Sequence, residues 1–373
     1  MTRTRQVTGE TDIAWMRIAL QLARRGVGLT RPNPPVGAVV VRHGRIVGQG
    51  WHRLAGGPHA EIAALRQAGQ RARGATLYVT LEPCCTHGRT PPCTESIIGA
   101  GLGRVVFAAR DPNPRHRGRG IRQLRSAGIL VSSGVCRAEA AEIIRPFARH
   151  ITIRHPLVTL KLAVTLDGRI ADAAGRARWL SGPSARAMVQ TLRRSADAIM
   201  VGSGTVRTDD PSLIPRPAHG RMPYRVVVDA SGAIPSRARV VSDDFRKQTI
   251  VATTRRCPVS RMAMWRNAGV RVMVLPAKRG QVDLKALLRE LGRLGLMHVL
   301  CEGGGILAGQ LVKESLVDQL YWVSVPMLLG DKGVPAIGGA AWPLPAAPQF
   351  EFQHIQRYGK DRVMRLTPSA KKG

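Results

Sequence analysis

A histidine at the head of one helix and two cysteines on a loop after a strand set the geometry that this chain has to reach. His59-Ala60-Glu61 opens Ala60–Ala68, which reads as a helix. Gly74–Leu81 reads as a strand that delivers Pro83, Cys84 and, after the run Cys85–Pro92, Cys93 to a loop. One imidazole and two thiolates give Zn²⁺ three protein ligands and leave its fourth position to water, whereas a structural zinc closes with four. Glu61, just past the ligand, is poorly placed for the same ion but well placed to move protons to and from its water. A His-x-Glu alone is weak in a chain with ten histidines. Joined to Glu82-Pro83-Cys84 after a strand, it becomes specific, and buried or disulfide-linked cysteines explain none of this order.

Zinc deaminases of nucleobases divide labour in this way. Editing and tRNA deaminases carry a Pro-Cys-x-x-Cys pair, but here the residue at that position is His87 and the next thiol is Cys93, so the residues alone leave either as third ligand. The run from Pro83 to Cys93 resembles the Pro-Cys-Ser-His-x-Gly-Arg/Lys-Thr-Pro-Pro-Cys signature of the bifunctional deaminase–reductases of riboflavin biosynthesis, and the resemblance implies Cys93. Cys85 and Thr86 depart from it, standing where Ser and His are common; an extended loop points Cys85 away from Cys84. Upstream, Arg31–Val41 resembles the family's Asn-Pro-x-Val-Gly turn and first strand, and Gly50-Trp51-His52 its Gly-x-His. The resemblance implies that Asn33 and His52 line a pyrimidine pocket and that Arg89 lies near a ribose phosphate. Taken alone, they are a turn asparagine, a surface histidine and one arginine among many.

At 373 residues the chain is long for one core, so two domains are expected. No apolar core follows Met1-Thr2-Arg3, and no apolar run approaches the roughly 18 residues that span a bilayer, which leads to the expectation of a soluble, cytoplasmic protein without membrane contact. Six cysteines do not make a disulfide framework; Cys136, Cys257 and Cys301 read as reduced core residues. A net charge of +33 invites a nucleic-acid reading. The excess is dispersed over both halves and aromatics are scarce, so no specific nucleic-acid partner is expected, only attraction for phosphorylated metabolites. The arginine-rich segment Asn113–Gly120 reads as a solvated loop.

Alternating helical and strand-like runs make the first half an α/β layer: a helix near Trp15–Arg25, strands near Ala38–Val41 and Thr76–Leu81, a helix near Thr94–Ala100, a strand at Arg104–Ala109 and a helix at Ala138–Arg149. The pattern breaks at Thr152–Pro156, which puts one domain at 1–150 and another at 151–373. The second half carries a strand ending in Leu166-Asp167-Gly168-Arg169, then Gly202-Ser203-Gly204-Thr205-Val206-Arg207-Thr208-Asp209-Asp210-Pro211-Ser212-Leu213, and then Glu302-Gly303-Gly304-Gly305 between a buried strand and a helix start. A glycine turn there serves pyrophosphate binding or packing equally well.

With Pro326-Met327-Leu328-Leu329-Gly330, these segments resemble the reductase domain of the same family. The resemblance implies a cytidine-deaminase-like three-layer domain followed by a dihydrofolate-reductase-like domain, with one Zn²⁺ in the first and NADPH in the second. NADPH contacts are implied for Ala163, Trp179, Thr205, Asp209 and the stretch Gly304, Gly305, Ile306, Leu307, Ala308, Gly309 and Gln310. Substrate contacts are implied for Ala177, which stands where the family often has Ser, and for Arg193, Leu213, Arg216 and Glu302. Lys161 and Asp167 fall near this site by motif. The expected substrate is a phosphorylated pyrimidine, first deaminated and then reduced at its sugar, and the expected assembly is a homo-oligomer. A nucleic-acid base deaminase with an accessory domain and a noncatalytic basic zinc scaffold remain the alternatives; ammonia release, and from which substrate, separates the three.

Overall fold

The computed structural model describes residues 8–87, 91–114, 116–218 and 220–369, so Arg89 and Arg115 lie outside the described residues. The chain divides into two compact units, Met1–Arg154 and His155–Gly373. Among the described residues no helix is long and apolar enough to cross a membrane.

The first unit runs α1 (Thr8–Arg24), β1 (Gly37–Arg42), β2 (Arg45–Trp51), α2 (Ala60–Ala68), β3 (Thr76–Leu81), α3 (Cys93–Gly99), β4 (Arg104–Ala109), α4 (Arg119–Ser126), β5 (Leu130–Ser133) and α5 (Arg137–Ile153). Its sheet has the order β2-β1-β3-β4-β5, with β1 antiparallel to both neighbours and β3, β4 and β5 mutually parallel. Strand β1 is buried on both faces of the pleat, which is why it reads as an unbroken apolar run. One face meets α1 and α5. There Tyr78 donates its hydroxyl to Asp12 at 2.7 Å, and Arg104 closes on the same carboxylate at 3.0 and 2.7 Å.

The opposite face carries α2, followed by α3 and α4, so the unit is a three-layer sandwich. Helix α2 lies so close to β2 that only glycine fits beneath it. A Cβ on Gly48 would stand 2.2 Å from the Ala64 carbonyl, and one on Gly50 2.7 Å from that of Ala60. Those glycines set the height at which α2 presents His59 and Glu61.

The second unit runs β6 (Leu157–Thr165), β7 (Arg169–Ala171), α6 (Pro183–Ser195), β8 (Ala198–Gly202), α7 (Ser203–Asp209), β9 (Tyr224–Val228), α8 (Arg239–Ser242), β10 (Thr249–Thr253), α9 (Val259–Asn267), β11 (Arg271–Val274), β12 (Ala277–Lys278), β13 (Gln281–Val282), α10 (Leu284–Arg293), β14 (His298–Cys301), α11 (Gly305–Lys313), β15 (Gln319–Val325), β16 (Val334–Pro335), β17 (Phe350–Tyr358) and β18 (Asp361–Pro368). A nine-stranded sheet has the order β11-β10-β9-β8-β14-β6-β15-β18-β17. It is parallel from β11 to β15, and β18 and β17 close it as an antiparallel hairpin. Two short ladders, β12–β13 and β16–β7, lie outside it.

Two buried charges tie this sheet to the segments around its cavity. Arg225 on β9 is fully buried with every donor matched: Thr249, the Ser212 and Val240 carbonyls, and both oxygens of Asp243. A buried guanidinium is tolerable only when paired in this way. Asp361, also fully buried, opens β18 and accepts the backbone N–H of Gly182 at 2.7 Å, at the cap of α6. A carboxylate there meets the positive end of the helix.

Candidate active sites

In the first unit, His59 is the residue before α2, and the loop after β3 brings Cys84 to it while Cys93 opens α3. The His59 Nδ1 lies 3.2 Å from the Cys93 Sγ and 3.5 Å from the Cys84 Sγ, and all three donor atoms fall within 4.8 Å of one another. Zn–N and Zn–S bonds of ordinary length at a tetrahedral angle make an N···S edge of about 3.5 Å, so the donor set fits zinc in spacing as well as in chemistry. Hydrogen bonding from the Cys93 thiol, and then from His59, draws the Cys84 thiol down to about 4 against the opposing effect of burial. That supplies a thiolate. His87, the other candidate ligand, is exposed and faces Glu95 at 3.8 Å, away from the cluster.

Glu61 is 4 % exposed on the first turn of α2. Burial, reinforced by the negative charge of Cys84, pushes its carboxyl up to about 7. A group in that range can take and give a proton near neutrality. Beside it, the rings of His52 and His59 meet edge to face with centroids 5.3 Å apart. His52 is buried, its Nδ1 donates to the Pro58 carbonyl at 3.0 Å, and its Nε2 accepts from the Asn33 Nδ2 at 3.1 Å. Both ring nitrogens are thus committed, and the arrangement fixes the Asn33 amide with its oxygen left to accept.

The loop behind the cysteines keeps Arg117 and Arg119 exposed, as a solvated segment should, while its backbone is tied inward. Buried Glu82 accepts the N–H of Gly118 at 2.8 Å, and Gly120 passes so near the Pro83 carbonyl that a Cβ would stand 2.5 Å from it. Cys85 points toward His116, at 3.8 Å, rather than into the metal cluster.

In the second unit a cavity of about 660 Å³ is lined from β6, the segment before α6, α6 itself, the turn around α7 and the glycine turn before α11. That volume is in the range of ligand pockets. Lys161 and Ala163 reach it from alternate positions of β6, and Trp179, Thr205, Asp209, Gly304, Gly305, Ile306 and Leu307 line it. So do Ala177, Arg193, Leu213, Arg216 and Glu302. Arg193 grips Glu302 bidentately at 2.6 and 2.9 Å. Burial pushes the Glu302 carboxyl up, but the charge and hydrogen bonds of Arg193, with the charge of Lys161, hold it below the ordinary carboxylate range. Burial lowers Lys161, opposed by Glu302. The rim residue Trp179, 69 % exposed, carries the guanidinium of Arg186 at 4.7 Å from its ring centroid.

Ala308, Gly309 and Gln310, farther along α11, are not part of the cavity lining and make other contacts. Ala308 is buried in the core, Gly309 packs on the Gly338 carbonyl, and Gln310 donates to the Val282 carbonyl at 3.0 Å. Packing likewise explains Gly305, whose Cβ would stand 2.2 Å from the Pro335 carbonyl, while the Gly304 N–H is bonded to Thr205 at 3.1 Å. Asp167 holds a turn by accepting from Thr165, Leu329 and Gly330. Arg186 and Gln190 also line the cavity, and the signal that could have found them is their helical spacing from Arg193 along α6.

Two family models divide the chain at these sites. The one described as the cytidine and deoxycytidylate deaminase zinc-binding region matches residues 9–109, and the one described as the RibD C-terminal domain matches residues 156–364. The riboflavin biosynthesis protein RibD of Escherichia coli is 40 % identical over 370 residues, covering 95 % of this chain and 99 % of its own. The chain belongs to the RibD family. The solved structure of Acinetobacter baumannii RibD superposes with a TM-score of 0.87 at 35 % identity, covering 97 % of this chain and 99 % of that one. A deaminase/reductase structure from Thermotoga maritima gives the same TM-score and coverage at 34 % identity. Both domains are therefore those of RibD: an N-terminal cytidine-deaminase-like domain and a C-terminal RibD reductase domain.

Proposed function

We propose that this chain catalyses two consecutive steps of riboflavin biosynthesis. The first, in residues 1–150, is hydrolytic deamination of 2,5-diamino-6-(5-phosphoribosylamino)pyrimidin-4(3H)-one. The second, in residues 151–373, is reduction of the ribosyl group of the resulting 5-amino-6-(5-phosphoribosylamino)uracil to ribityl. The observation that carries the reading is the convergence of His59, Cys84 and Cys93 beside the buried, protonatable Glu61.

Zinc held by those three side chains supplies a water acidified toward neutral pH. Glu61 takes a proton from the attacking water and hands it to the amino group that leaves as ammonia, so one carboxyl serves as base and then acid. Asn33 offers its amide oxygen to the pyrimidine, and His52 orients that amide. Arg89 belongs to the same reading as a partner for the ribose phosphate.

In the second unit NADPH supplies the hydride. Ala163, Trp179, Thr205, Asp209 and Gly304–Leu307 form its wall, while Ala308, Gly309 and Gln310 hold the start of α11 by packing. Ala177, Leu213 and the Arg193–Glu302 pair face the substrate, and Arg216 meets its phosphate. Assembly as a homo-oligomer in the cytoplasm belongs to the same reading and is checked by sizing the purified protein.

Incubation of the zinc-loaded protein with the diaminopyrimidinone and NADPH, following ammonia and NADPH together, tests the reading. Ammonia should appear first and NADPH oxidation follow in matching amount. Ammonia from RNA or DNA bases instead, or no ammonia despite bound zinc, would overturn it.

A further inference from the structure

Arg216 reaches the cavity from a segment with almost no backbone bonding of its own. It stands between Pro215 and Pro217, neither of which has an N–H, so the Arg216 amide is the only backbone donor of the three. That amide is captured by a side chain: the Gln190 Oε1 accepts it at 2.8 Å. The carbonyl of the same residue is captured as well, accepting from the Arg194 Nη1 at 3.0 Å. Gln190 and Arg194 are one turn apart on α6 and therefore share a face. The Arg194 Nη2 is steadied in turn by Thr191 at 3.2 Å. Both backbone polar groups of Arg216 are thus held by one helix face, while its exposed side chain has no hydrogen-bond partner among the described residues. Arg193, the residue before Arg194 on α6, grips Glu302, so one helix holds two members of the cavity lining, Arg216 and Glu302.

We propose that Gln190 and Arg194 are positioning residues that clamp the Arg216 backbone so that its guanidinium meets a phosphate monoester, that of the substrate. The clamp rests on the reading of Arg216 given under Proposed function. A free loop would have to order on binding, and holding the backbone beforehand removes that cost. The guanidinium fork gains most from such fixing, because its bidentate bonding to phosphate is directional.

Gln190→Met and Arg194→Met are compared with wild type on the phosphoribosylamino uracil and on its phosphate-free ribosyl analogue, with NADPH and with NADH. Each should raise KM for the phosphorylated substrate about three- to tenfold, the worth of one hydrogen bond, at unchanged kcat. For Arg194→Met, whose side chain is not part of the cavity lining, KM and kcat for the phosphate-free analogue should stay as in wild type, which also shows that the variant is folded. Arg194→Lys, which keeps a donor, should recover most of the loss. Placed in an Arg216→Ala background, Gln190→Met should add nothing.

An equal rise for both substrates overturns the clamp, as does an added effect in the Arg216→Ala background. A change confined to the preference for NADPH over NADH assigns Arg216 to the cofactor phosphate and overturns the substrate assignment. If Arg216→Ala keeps the wild-type preference for the phosphorylated substrate, the underlying reading of Arg216 fails. If Arg216→Ala loses that preference while Gln190 and Arg194 variants keep it, the clamp alone fails.

Discussion

The first unit gathers the reactive groups of its site between His59 and Cys93, with Asn33 and His52 added from just upstream, whereas the second draws its cavity wall from Lys161 through to Val334. The compact site depends on a few donors whose chemistry is fixed by mutual contact: hydrogen bonds from Cys93 and His59 lower the Cys84 thiol, and burial, with Cys84 beside it, raises the Glu61 carboxyl to about 7. The dispersed site depends on framework. Its charged groups are set by pairs such as Arg193–Glu302, and its loops by ties such as Arg225 to Ser212. The contrast teaches that removing one atom should be decisive in the first site and graded in the second.

The sharpest break comes from the ligands. Cys84→Ser or Cys93→Ser should lose the metal and ammonia release together while leaving reduction of supplied deaminated substrate intact; metal analysis and the two assays on one preparation decide it. Metal retained in full by Cys93→Ser would remove that ligand from the set.

Glu61→Gln should keep the metal and lower ammonia release by about 10²- to 10⁴-fold, the usual worth of a general acid–base group. A near-normal rate would take Glu61 out of the proton path.

In the second unit the graded counterpart is Glu302→Gln. Because Glu302 titrates lower in the folded chain than its ordinary range, its stabilisation is present above the unfolded pKa of about 4.3 and lost as pH falls through the folded value. Breaking a buried pair costs about 3 kcal/mol, so denaturant unfolding should show roughly that deficit at pH 7, shrinking below about pH 4. A deficit independent of pH would mean that the charge is not what matters.

The smallest effect belongs to His87→Ala, which should leave metal content unchanged and ammonia release within about twofold, since an exposed side chain away from the donors has little to lose. Loss of metal would instead reopen the choice between His87 and Cys93.

Legibility in the sequence followed the same contrast. His59, Glu61 and Cys84 could be read from local spacing, because a helix start and a strand end carry their own signals. Asn33 and His52 came only through resemblance, since nothing in a turn asparagine announces that a histidine beyond the next hairpin will hold its amide. Gly48 and Gly50 gave no hint that α2 would rest on their Cα atoms, because that is a contact between distant segments. In the reductase half the motif reached the glycine turn, where Gly304–Leu307 line the cavity, but gave no hint of the contacts beyond it, where Ala308 is buried and Gln310 bonds to Val282. Helical spacing from Arg193 points to Gln190, but the hold of Gln190 and Arg194 on Arg216 was illegible because its carbonyl and amide leave no mark in a sequence. The basic loop before α4 keeps Arg117 and Arg119 exposed as its composition implies, but the buried acid Glu82 that anchors its backbone stands on another segment and gave no local signal.

The cap that Asp361 places on α6 also imposes an order in time. The first unit has its whole sheet and every described site residue by Arg154, but α6, the helix that carries Arg186, Gln190 and Arg193, lacks its buried capping carboxylate until residue 361 has been made. At roughly 5–20 residues per second, a nascent chain would carry a complete first domain for on the order of ten to forty seconds before the second could finish. The catalyst of the earlier reaction is also the earlier one to be built.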